Sequence, residues 1–475
     1  MSDELTHLSA TEARALFTSR ALSPVELLRA LVERAEDVEP KVNAFAERLF
    51  DEALDAARQA EARYLGKGPA PRPLEGIPVA VKEKHAIAGR SLTEGSLVNE
   101  GVVATENAPV VDRVLAAGGI IHARTTTPEF SITAFTHTPL WGVTRNPWCL
   151  DRSPGGSSGG SAAALAAGTA PLATASDIGG STRIPAAFTG TVGFKAPYGR
   201  IPGAAPLSAD FYRGDGPLAR TVDDAALLAN VLIGPDPRDH TSLRPGSALP
   251  AEFEPAAGMR VALCLRLGDY EITPAVERNT RETAAALEAA GVVVEEIELP
   301  WTREEIALAT EAHFGAFFGA LVGESVAGRE DVVAPYTRAF VEWAAKARGR
   351  TSLVTGLRVE TRMQRQLAEA MAGFDALLCP TAAVSALPAG DDLLGAFEVD
   401  GQRFARTADV TMTIPFNINN RCPVLAVPSG HTADGVPTGV QIVGHTYDDA
   451  TVFRLGAELE RVRPRACPAG HFPAL

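Results

Sequence analysis

The spacing of hydrophobic residues is helical over the first part of the chain. Ser9 and Ser23 are each followed three residues later by a glutamate, the pattern of a capping box that begins a helix. The apolar positions then keep helical spacing over residues 25–45, and a third helix is predicted over 51–64. The stretch 66–73 is rich in glycine and proline and ends this helical part.

Further along, short apolar runs rich in β-branched residues alternate with helical patterns. Such alternation predicts an α/β fold, in which helices cover a sheet. The strands are predicted at residues 77–81, 119–123, 261–265, 292–297, 376–379, 424–427 and 439–443, and the helices of this part at 110–117, 162–168, 274–290 and 449–460.

Residues 303–373 are mostly helical and carry a cluster of aromatic residues. Aromatic residues at helical spacing usually pack in a core, and a core is the prediction here; the wall of a substrate cleft is the alternative. The cluster comprises Phe314, Phe317, Phe318, Phe340 and Trp343.

Composition and charge narrow the function classes. The chain has 475 residues, 46% of them hydrophobic, which is enough for a large core. Its formal net charge of −14 argues against a nucleic-acid-binding surface. We find neither a signal peptide at the start nor an apolar stretch long enough to cross a membrane, so a cytoplasmic protein is expected.

The cysteines show the pattern of neither a zinc site nor a disulfide framework. Cys149, Cys264, Cys379, Cys422 and Cys467 are odd in number, far apart, and form no Cys-x-x-Cys pair. The histidines show no metal-ligand spacing either. We therefore predict no metal and no organic cofactor.

A lysine at the end of a buried strand is the first candidate for chemistry. Lys82 follows the apolar run 77–81, and the chain has only six lysines. A strand-end lysine is usually a solvated surface charge, whereas a catalytic one must be desolvated until its pKa falls from about 10.4 toward ~7. His85 lies just beyond and is expected to be structural or to lie at the rim of a substrate site.

A glycine- and serine-rich loop at residues 153–161 is the second candidate. It matches Gly-x-Ser-x-Gly on both Ser157 and Ser158, the pattern of an α/β-hydrolase nucleophile. That fold needs a buried strand directly before the serine, but residues 144–151 are polar and contain Pro147. The loop lacks the Gly-Lys-Ser/Thr ending of a P-loop, so nucleotide binding is not expected.

The third candidate is the segment 176–185, in which two glycines directly precede Ser181. Glycines free the backbone to direct several N–H groups at one point, as an oxyanion hole requires. The alternative is a plain turn with a structural contact between Asp177 and Arg183.

Taken together, the three segments resemble the amidase signature family. The lysine, the Ser-Ser pair and the Gly-Gly-Ser occur in that family's order, and Ser181 follows Ser157 by 24 residues. Residues 415–417 and 435–442 also match, so the resemblance covers most of 73–235 and 375–460. Glu83, after the lysine, stands where the family more often has aspartate.

The resemblance implies a Ser–Ser–Lys triad. Ser181 is then the nucleophile, Lys82 the base, and Ser157, on a cis peptide, the bridge between them. The backbone N–H groups expected to hold the oxyanion are those of Ile178, Gly179, Gly180 and Ser181, and the residues expected to support the network are Ser158, Asp177 and Arg183.

The resemblance also implies the amidase signature fold, a large mixed β-sheet sandwiched between layers of α-helices. We expect one large unit in four parts. These are an N-terminal helical segment (1–72), the signature core with the triad (73–235), a variable and mostly helical insertion at the substrate cleft (236–375), and the C-terminal part of the same core (376–475).

The implied reaction is hydrolysis of a small, hydrophobic or aryl amide through an acyl-enzyme. Carbamates (a urethanase-like activity), anilides and esters are chemically close. The expected partner is a small-molecule substrate, without nucleic acid or membrane, and a homodimer is compatible with the family. Three alternatives stay open: the glutaminase subunit of a tRNA-dependent amidotransferase, an α/β-hydrolase-type esterase that depends on a histidine, and a non-catalytic scaffold.

Overall fold

The computed structural model describes residues 2–244, 246–463 and 472–475, so Cys467 lies outside the described residues. Within them the chain forms fifteen α-helices. The helices are α1 (Ser2–Thr6), α2 (Ala10–Ser19), α3 (Pro24–Val42), α4 (Phe50–Tyr64), α5 (Pro109–Ala116), α6 (Gly159–Ala166), α7 (Arg183–Thr189), α8 (Val222–Leu232), α9 (Pro274–Ala289), α10 (Arg303–Ala316), α11 (Phe318–Val326), α12 (Pro335–Arg350), α13 (Leu353–Ala370), α14 (Pro415–Ile418) and α15 (Asp449–Val462).

Seventeen strands accompany these helices in the same described ranges, and eleven of them form one large sheet. The strands are β1 (Phe45–Arg48), β2 (Pro78–Lys82), β3 (Ile120–Thr125), β4 (His137–Thr138), β5 (Gly142–Val143), β6 (Arg152–Ser153), β7 (Leu172–Asp177), β8 (Val192–Lys195), β9 (Gly214–Ala219), β10 (Arg260–Leu263), β11 (Val293–Glu296), β12 (Ala376–Pro380), β13 (Leu387–Pro388), β14 (Phe397–Val399), β15 (Gln402–Phe404), β16 (Val424–His431) and β17 (Pro437–Gly444).

The large sheet is mixed, as expected. Its order is β1-β3-β2-β7-β9-β8-β16-β17-β12-β10-β11. Strands β3, β2 and β7 are parallel to one another, and so are β12, β10 and β11. The strands between these groups pair antiparallel. This topology confirms the predicted α/β fold.

The two faces of the sheet differ in the size of their side chains. Ala80 and Ala173 belong to an apolar cluster with the alanines of α6, whereas Val79 and Val81 belong to a larger cluster with α5 and α8. Neighbouring residues of a strand point to opposite sides, so helices cover both faces. Small side chains let α6 lie close to the sheet, and Lys82 follows Ala80 by two residues on that same face.

The predicted elements occur with small changes at their ends. The capping boxes at Ser9 and Ser23 both form. The helix predicted over 25–45 ends at Val42, because β1 follows it and pairs with β3. Of the strands in the large sheet, β1, β7, β8 and β9 were not predicted. The short strands outside it were not predicted either: β4, β5, β6, β13, β14 and β15. The division into four parts remains a prediction.

Within residues 2–244, 246–463 and 472–475, no helix has by itself the length and hydropathy of a membrane span. Helices α10 and α11 reach the required length and composition only as a pair, and they are bent by 44° relative to each other.

Candidate active site

The end of β2 brings Lys82 to the loop that precedes α6. The Lys82 side chain is fully buried. Its Nζ lies 2.7 Å from the Oγ of Ser157, 3.0 Å from that of Ser158 and 3.1 Å from that of Ser176. Lys82 is therefore surrounded by three hydroxyl groups, and the interpretation of Lys82 as a solvated surface charge is wrong.

The environment of Lys82 favours its neutral form. Burial holds the pKa of Lys82 well below its ordinary value, and the positive charge of Lys84 lowers it further. The carboxylates of Asp215 and Asp177 act in the opposite direction without cancelling these effects. A neutral amine can accept a proton from a neighbouring hydroxyl, which an ammonium group cannot do.

The loop that carries Ser157 and Ser158 is held from both sides. The Gly156–Ser157 peptide bond is cis, as the resemblance implied. A Cβ on Gly156 would lie 2.3 Å from the backbone oxygen of Phe135, so only glycine fits there. On the other side the backbone N–H of Ser158 donates to the carbonyl of Ser181 at 3.2 Å. The two serine segments thus lie against each other.

Asp177 and Arg183 form a buried ion pair beneath the Gly-Gly-Ser turn. Arg183 donates from Nε to Asp177 Oδ2 at 3.0 Å and from Nη2 to Oδ1 at 2.9 Å. The arginine also donates to the carbonyl of Thr413 and to Oε1 of Gln441, and Asn417 donates to Asp177 Oδ1 at 2.8 Å. The pair therefore joins the first half of the chain to the second.

The hydrogen bonds and the charge around Asp177 keep its carboxyl group ionised. Burial raises the pKa of a carboxyl group, but here the charge and hydrogen bonds of Arg183, with the hydrogen bond from Asn417, outweigh it and lower the pKa of Asp177 to about 2. The Asp177 carboxylate is thus a fixed acceptor at neutral pH.

The backbone of the turn is oriented by hydrogen bonds at both ends of one peptide unit. The carbonyl of Gly179 accepts from Thr413 Oγ1 at 2.6 Å, and the N–H of Gly180 donates to Asp177 Oδ1 at 2.8 Å. Gly180 has a φ of +125°, and a Cβ there would lie 2.0 Å from Thr413 Oγ1. Position 180 therefore accepts only glycine. The N–H of Gly180 is bonded to Asp177 in this structure, whereas the expected oxyanion donors remain a prediction.

Ser181 borders a cavity of about 300 Å³. Ser157 and Lys82 do not line this cavity, and both are buried. The lining is mainly apolar and aromatic, and Asp392 is the one charged residue in it within the described ranges. Besides Ser181, it includes Ile178 and Gly179 of the turn and Phe135, Phe314, Phe318, Tyr336, Phe340 and Trp343.

The core interpretation of the aromatic cluster is confirmed in part, because Phe318 belongs to the hydrophobic core and Phe314 and Phe340 pack against it. The same side chains also border the cavity. Phe314, Phe340 and Trp343 are half-buried and line the cavity next to Ser181, and the buried Phe318 lines it as well. Phe317 does not line it and is 43% exposed. The helical spacing predicted the helices correctly. Spacing alone cannot show whether the apolar face of a helix contacts other side chains or borders a cavity.

His85 lies near the triad but is bound elsewhere. Its Nε2 is 3.1 Å from Asp215 Oδ1 and its Nδ1 is 2.9 Å from Thr174 Oγ1. The hydroxyl of Thr174 also accepts the backbone N–H of Lys82 at 3.0 Å. These contacts support the structural one of the two roles expected for His85.

Known proteins are similar to this chain over nearly its whole length. Residues 26–453 match the Amidase family model. The chain belongs to the amidase family. An acylamidase of Rhodococcus erythropolis is 35% identical over 98% of both chains, and a glutamyl-tRNA(Gln) amidotransferase subunit of Symbiobacterium thermophilum is 34% identical over 96% of both. The crystal structure of a bacterial aryl acylamidase of the amidase signature family superposes with a TM-score of 0.88, at 27% identity over 96% of both chains.

Its family and these relatives show that the protein is an amide-hydrolysing enzyme. In this amidase, sequence reasoning missed the contributions of Thr413, Asn417 and Gln441 to the Asp177–Arg183 network. Residues 415–417 and 435–442 match the family in sequence, but the match by itself gives these residues no role. The part of the chain that the structure describes contains no cluster of three or more His, Cys, Asp or Glu side chains able to hold a metal ion.

Proposed function

We propose that this amidase hydrolyses small apolar or aryl amides through an acyl-enzyme on Ser181, with Ser157 and Lys82 as the proton relay. One observation carries the proposal. A buried lysine of lowered pKa contacts Ser157 at 2.7 Å, the next residue, Ser158, is bonded to the backbone of Ser181, and Ser181 borders an aromatic cavity.

The relay operates in two directions. Neutral Lys82 accepts the proton of the Ser157 hydroxyl, Ser157 accepts that of Ser181, and the Ser181 oxygen attacks the carbonyl carbon. The reversed relay then delivers a proton to the leaving nitrogen, which is a poor leaving group until it is protonated. Water, activated through the same groups, hydrolyses the acyl-enzyme and frees Ser181.

The oxyanion of the tetrahedral intermediate needs backbone donors. We propose the N–H groups of Ile178, Gly179 and Ser181 for this role. The N–H of Gly180 is left out of the set expected from the sequence, because it donates to Asp177. Asp177 and Arg183 act as positioning residues that fix the turn, and Ser158 supports Lys82 by its hydrogen bond.

The cavity favours an apolar substrate over glutamine. Glutamine carries an α-carboxylate, which a binding site has to match with a cation or several donors. Among the described residues, the lining around Ser181 contains no Lys, Arg or His, and its one charge, Asp392, is negative. Aromatic side chains instead offer a surface for an aryl or alkyl group. Carbamates and esters stay in the proposed range, because they pass through similar intermediates.

The glutaminase subunit of an amidotransferase is the second candidate, supported by the relative that is 34% identical. The esterase alternative receives no support, because the partner of Ser157 is a lysine and not a histidine. A cytoplasmic location, a homodimer, and the expected absence of cofactors and of nucleic-acid or membrane partners remain predictions.

The test is an assay of the purified chain on p-nitroanilides, aryl carbamates, short aliphatic amides, p-nitrophenyl esters and glutamine. Ser181→Ala, Ser157→Ala and Lys82→Met are compared with Ser19→Ala and Lys346→Met, which change an exposed serine and an exposed lysine. We expect losses of at least ~10³-fold in kcat for the triad variants and none for the controls.

Two results would contradict the proposal. Turnover of glutamine but of no aryl amide would favour the glutaminase. An active Lys82→Met beside an inactive histidine variant would favour the esterase.

A further inference from the structure

A second, smaller cavity lies next to the cavity at Ser181. Its volume is about 140 Å³, and Phe318 lines both cavities, so this side chain separates them. We call it the Lys84 cavity. Part of its wall is apolar, from Phe130, Leu207 and Val322 among others. Its ionisable residues are Lys84, His85, Glu94, Arg213 and Asp215.

Most of these charges are already paired. Arg213 donates to Asp215 Oδ1 at 2.6 Å, and His85 contacts the same oxygen at 3.1 Å. Lys84 differs, because it makes neither a hydrogen bond nor an ion pair through its side chain with any residue in the described ranges. Burial, aided by the charge of Arg213, lowers the pKa of Lys84, while Glu94 raises it.

Lys84 is half-buried and lines the cavity with its ammonium group unpaired among the described residues. Such a group is available to a negatively charged ligand group in the cavity. The remaining charge that faces Lys84 without pairing with it is Glu94, which would oppose an anion. The two residues therefore have opposite expected effects on anion binding, which makes the idea testable.

We propose that the Lys84 cavity binds the terminal carboxylate of a substrate whose linear arm extends from Ser181 past Phe318. The inference rests on the proposed function and adds a substrate class to it: amides of linear dicarboxylic acids. The carbonyl next to the amide reacts at Ser181, the methylene chain contacts the aromatic wall, and the distal carboxylate pairs with Lys84.

The experiment measures a ratio. Mono-p-nitroanilides of the linear dicarboxylic acids from C4 to C10 are compared, length by length, with the p-nitroanilides of the fatty acids of the same length. At the chain length that spans the two cavities, the dicarboxylic acid anilide should have a kcat/KM about tenfold higher than the fatty acid anilide of the same length. A tenfold change corresponds to the free energy of a hydrogen bond to a charged group. Shorter acids should show no such advantage.

Two variants on the charges test the assignment. Lys84→Met should abolish the preference for the carboxylate, and Glu94→Gln should increase it. The charge of Lys84 also affects Lys82, but this effect acts on both members of a substrate pair and cancels in the ratio. Lys346→Met, on the exposed face of α12, is the matched control and should leave the ratio unchanged.

A further pair of variants tests the path. Phe318→Ala removes the side chain between the cavities and should favour the longer arms. Phe317→Ala, the exposed neighbour outside both cavities, should leave the length profile as it is.

Failure of this inference is distinguishable from failure of the proposed function. If uncharged anilides are hydrolysed but the carboxylate gives no advantage at any length, or Lys84→Met keeps it, the inference is overturned and the proposed function stands. If no anilide is hydrolysed, the same mono-p-nitroanilides are titrated calorimetrically into Ser181→Ala and into Ser181→Ala/Lys84→Met. Affinity that falls about tenfold in the double variant supports the inference, and equal affinity overturns it.

Discussion

Two regions near the cavity at Ser181 are built from different interactions. Below Ser181, Asp177 and Arg183 are bound by directional hydrogen bonds to several partners, and both are fully buried. Across the cavity, the aromatic wall, defined here as Phe314, Phe318, Phe340 and Trp343, makes apolar contacts that tolerate small shifts. The hydrogen-bonded region fixes the backbone atoms of the turn in place, whereas the aromatic wall offers an apolar surface to a ligand.

This difference predicts two kinds of mutational effect. When one member of a fully hydrogen-bonded network is removed, its neighbours lose a partner and the turn they hold shifts. Activity should therefore fall for all substrates alike. An apolar wall loses contact area in proportion to what is removed, so the effect should depend on which substrate touches it. The following changes test this contrast, beginning with the largest expected effect.

Asp177→Asn should cause the largest loss. It leaves the buried guanidinium of Arg183 without its counter-charge, which costs about 3–5 kcal/mol in the free energy of unfolding. It also weakens the acceptor of the Gly180 N–H, so kcat should fall by roughly 10²-fold on every substrate. Chemical denaturation and kcat on a large and a small amide measure both effects.

The pH dependence of unfolding provides the control for this change. The pKa of Asp177 is lowered in the folded state to about 2 from an ordinary 3.8, so its contribution is complete above pH 4 and is lost as the pH falls toward 2. This loss amounts to about 2 kcal/mol in the wild type and should be absent in Asp177→Asn. An unchanged pH profile in the variant contradicts the assigned ion pair.

Gly180→Ala should have an intermediate effect that is also independent of substrate. The new Cβ meets Thr413 Oγ1 at 2.0 Å, so the turn must shift and the oxyanion donors move with it, at a cost of roughly 10²-fold in kcat. Gly179→Ala is the matched comparison, because its Cβ approaches only side chains at 3.7 Å or more and should cost less than tenfold. Equal losses of kcat in the two variants would show that the close approach of Thr413 to position 180 does not constrain the turn.

Trp343→Ala should have the smallest effect and should discriminate between substrates. Loss of the indole removes contact area for a large aryl group, raising KM for aryl amides about tenfold while acetamide is turned over as before. Phe317→Ala, between α10 and α11 and outside the cavity, serves as the control. An equal loss of activity on both substrates would show that Trp343 supports the turn at Ser181 and does not act as part of the aromatic wall.

The sequence predicted the regular part of the fold well, and its failures have identifiable causes. Capping boxes and apolar runs are local signals, and the elements they predicted occur. Strand β9 was missed because its six residues include two glycines and a proline, which are atypical of strands, and β7 because its side chains are mostly small. Both lie in the middle of the large sheet, where burial and pairing with neighbours outweigh local preference.

For the site, the sequence by itself determined the chemical groups: a lysine at a strand end, two serines in a glycine-rich loop and a serine after two glycines. Only the tertiary structure decided how they are used. It buried Lys82 among three hydroxyl groups, tied the Gly180 N–H to Asp177, and placed the aromatic wall beside Ser181. The physical reason is that desolvation, hydrogen-bond direction and cavity shape all arise from residues far apart in the chain, such as Lys82 with Ser157 and Asp177 with Asn417.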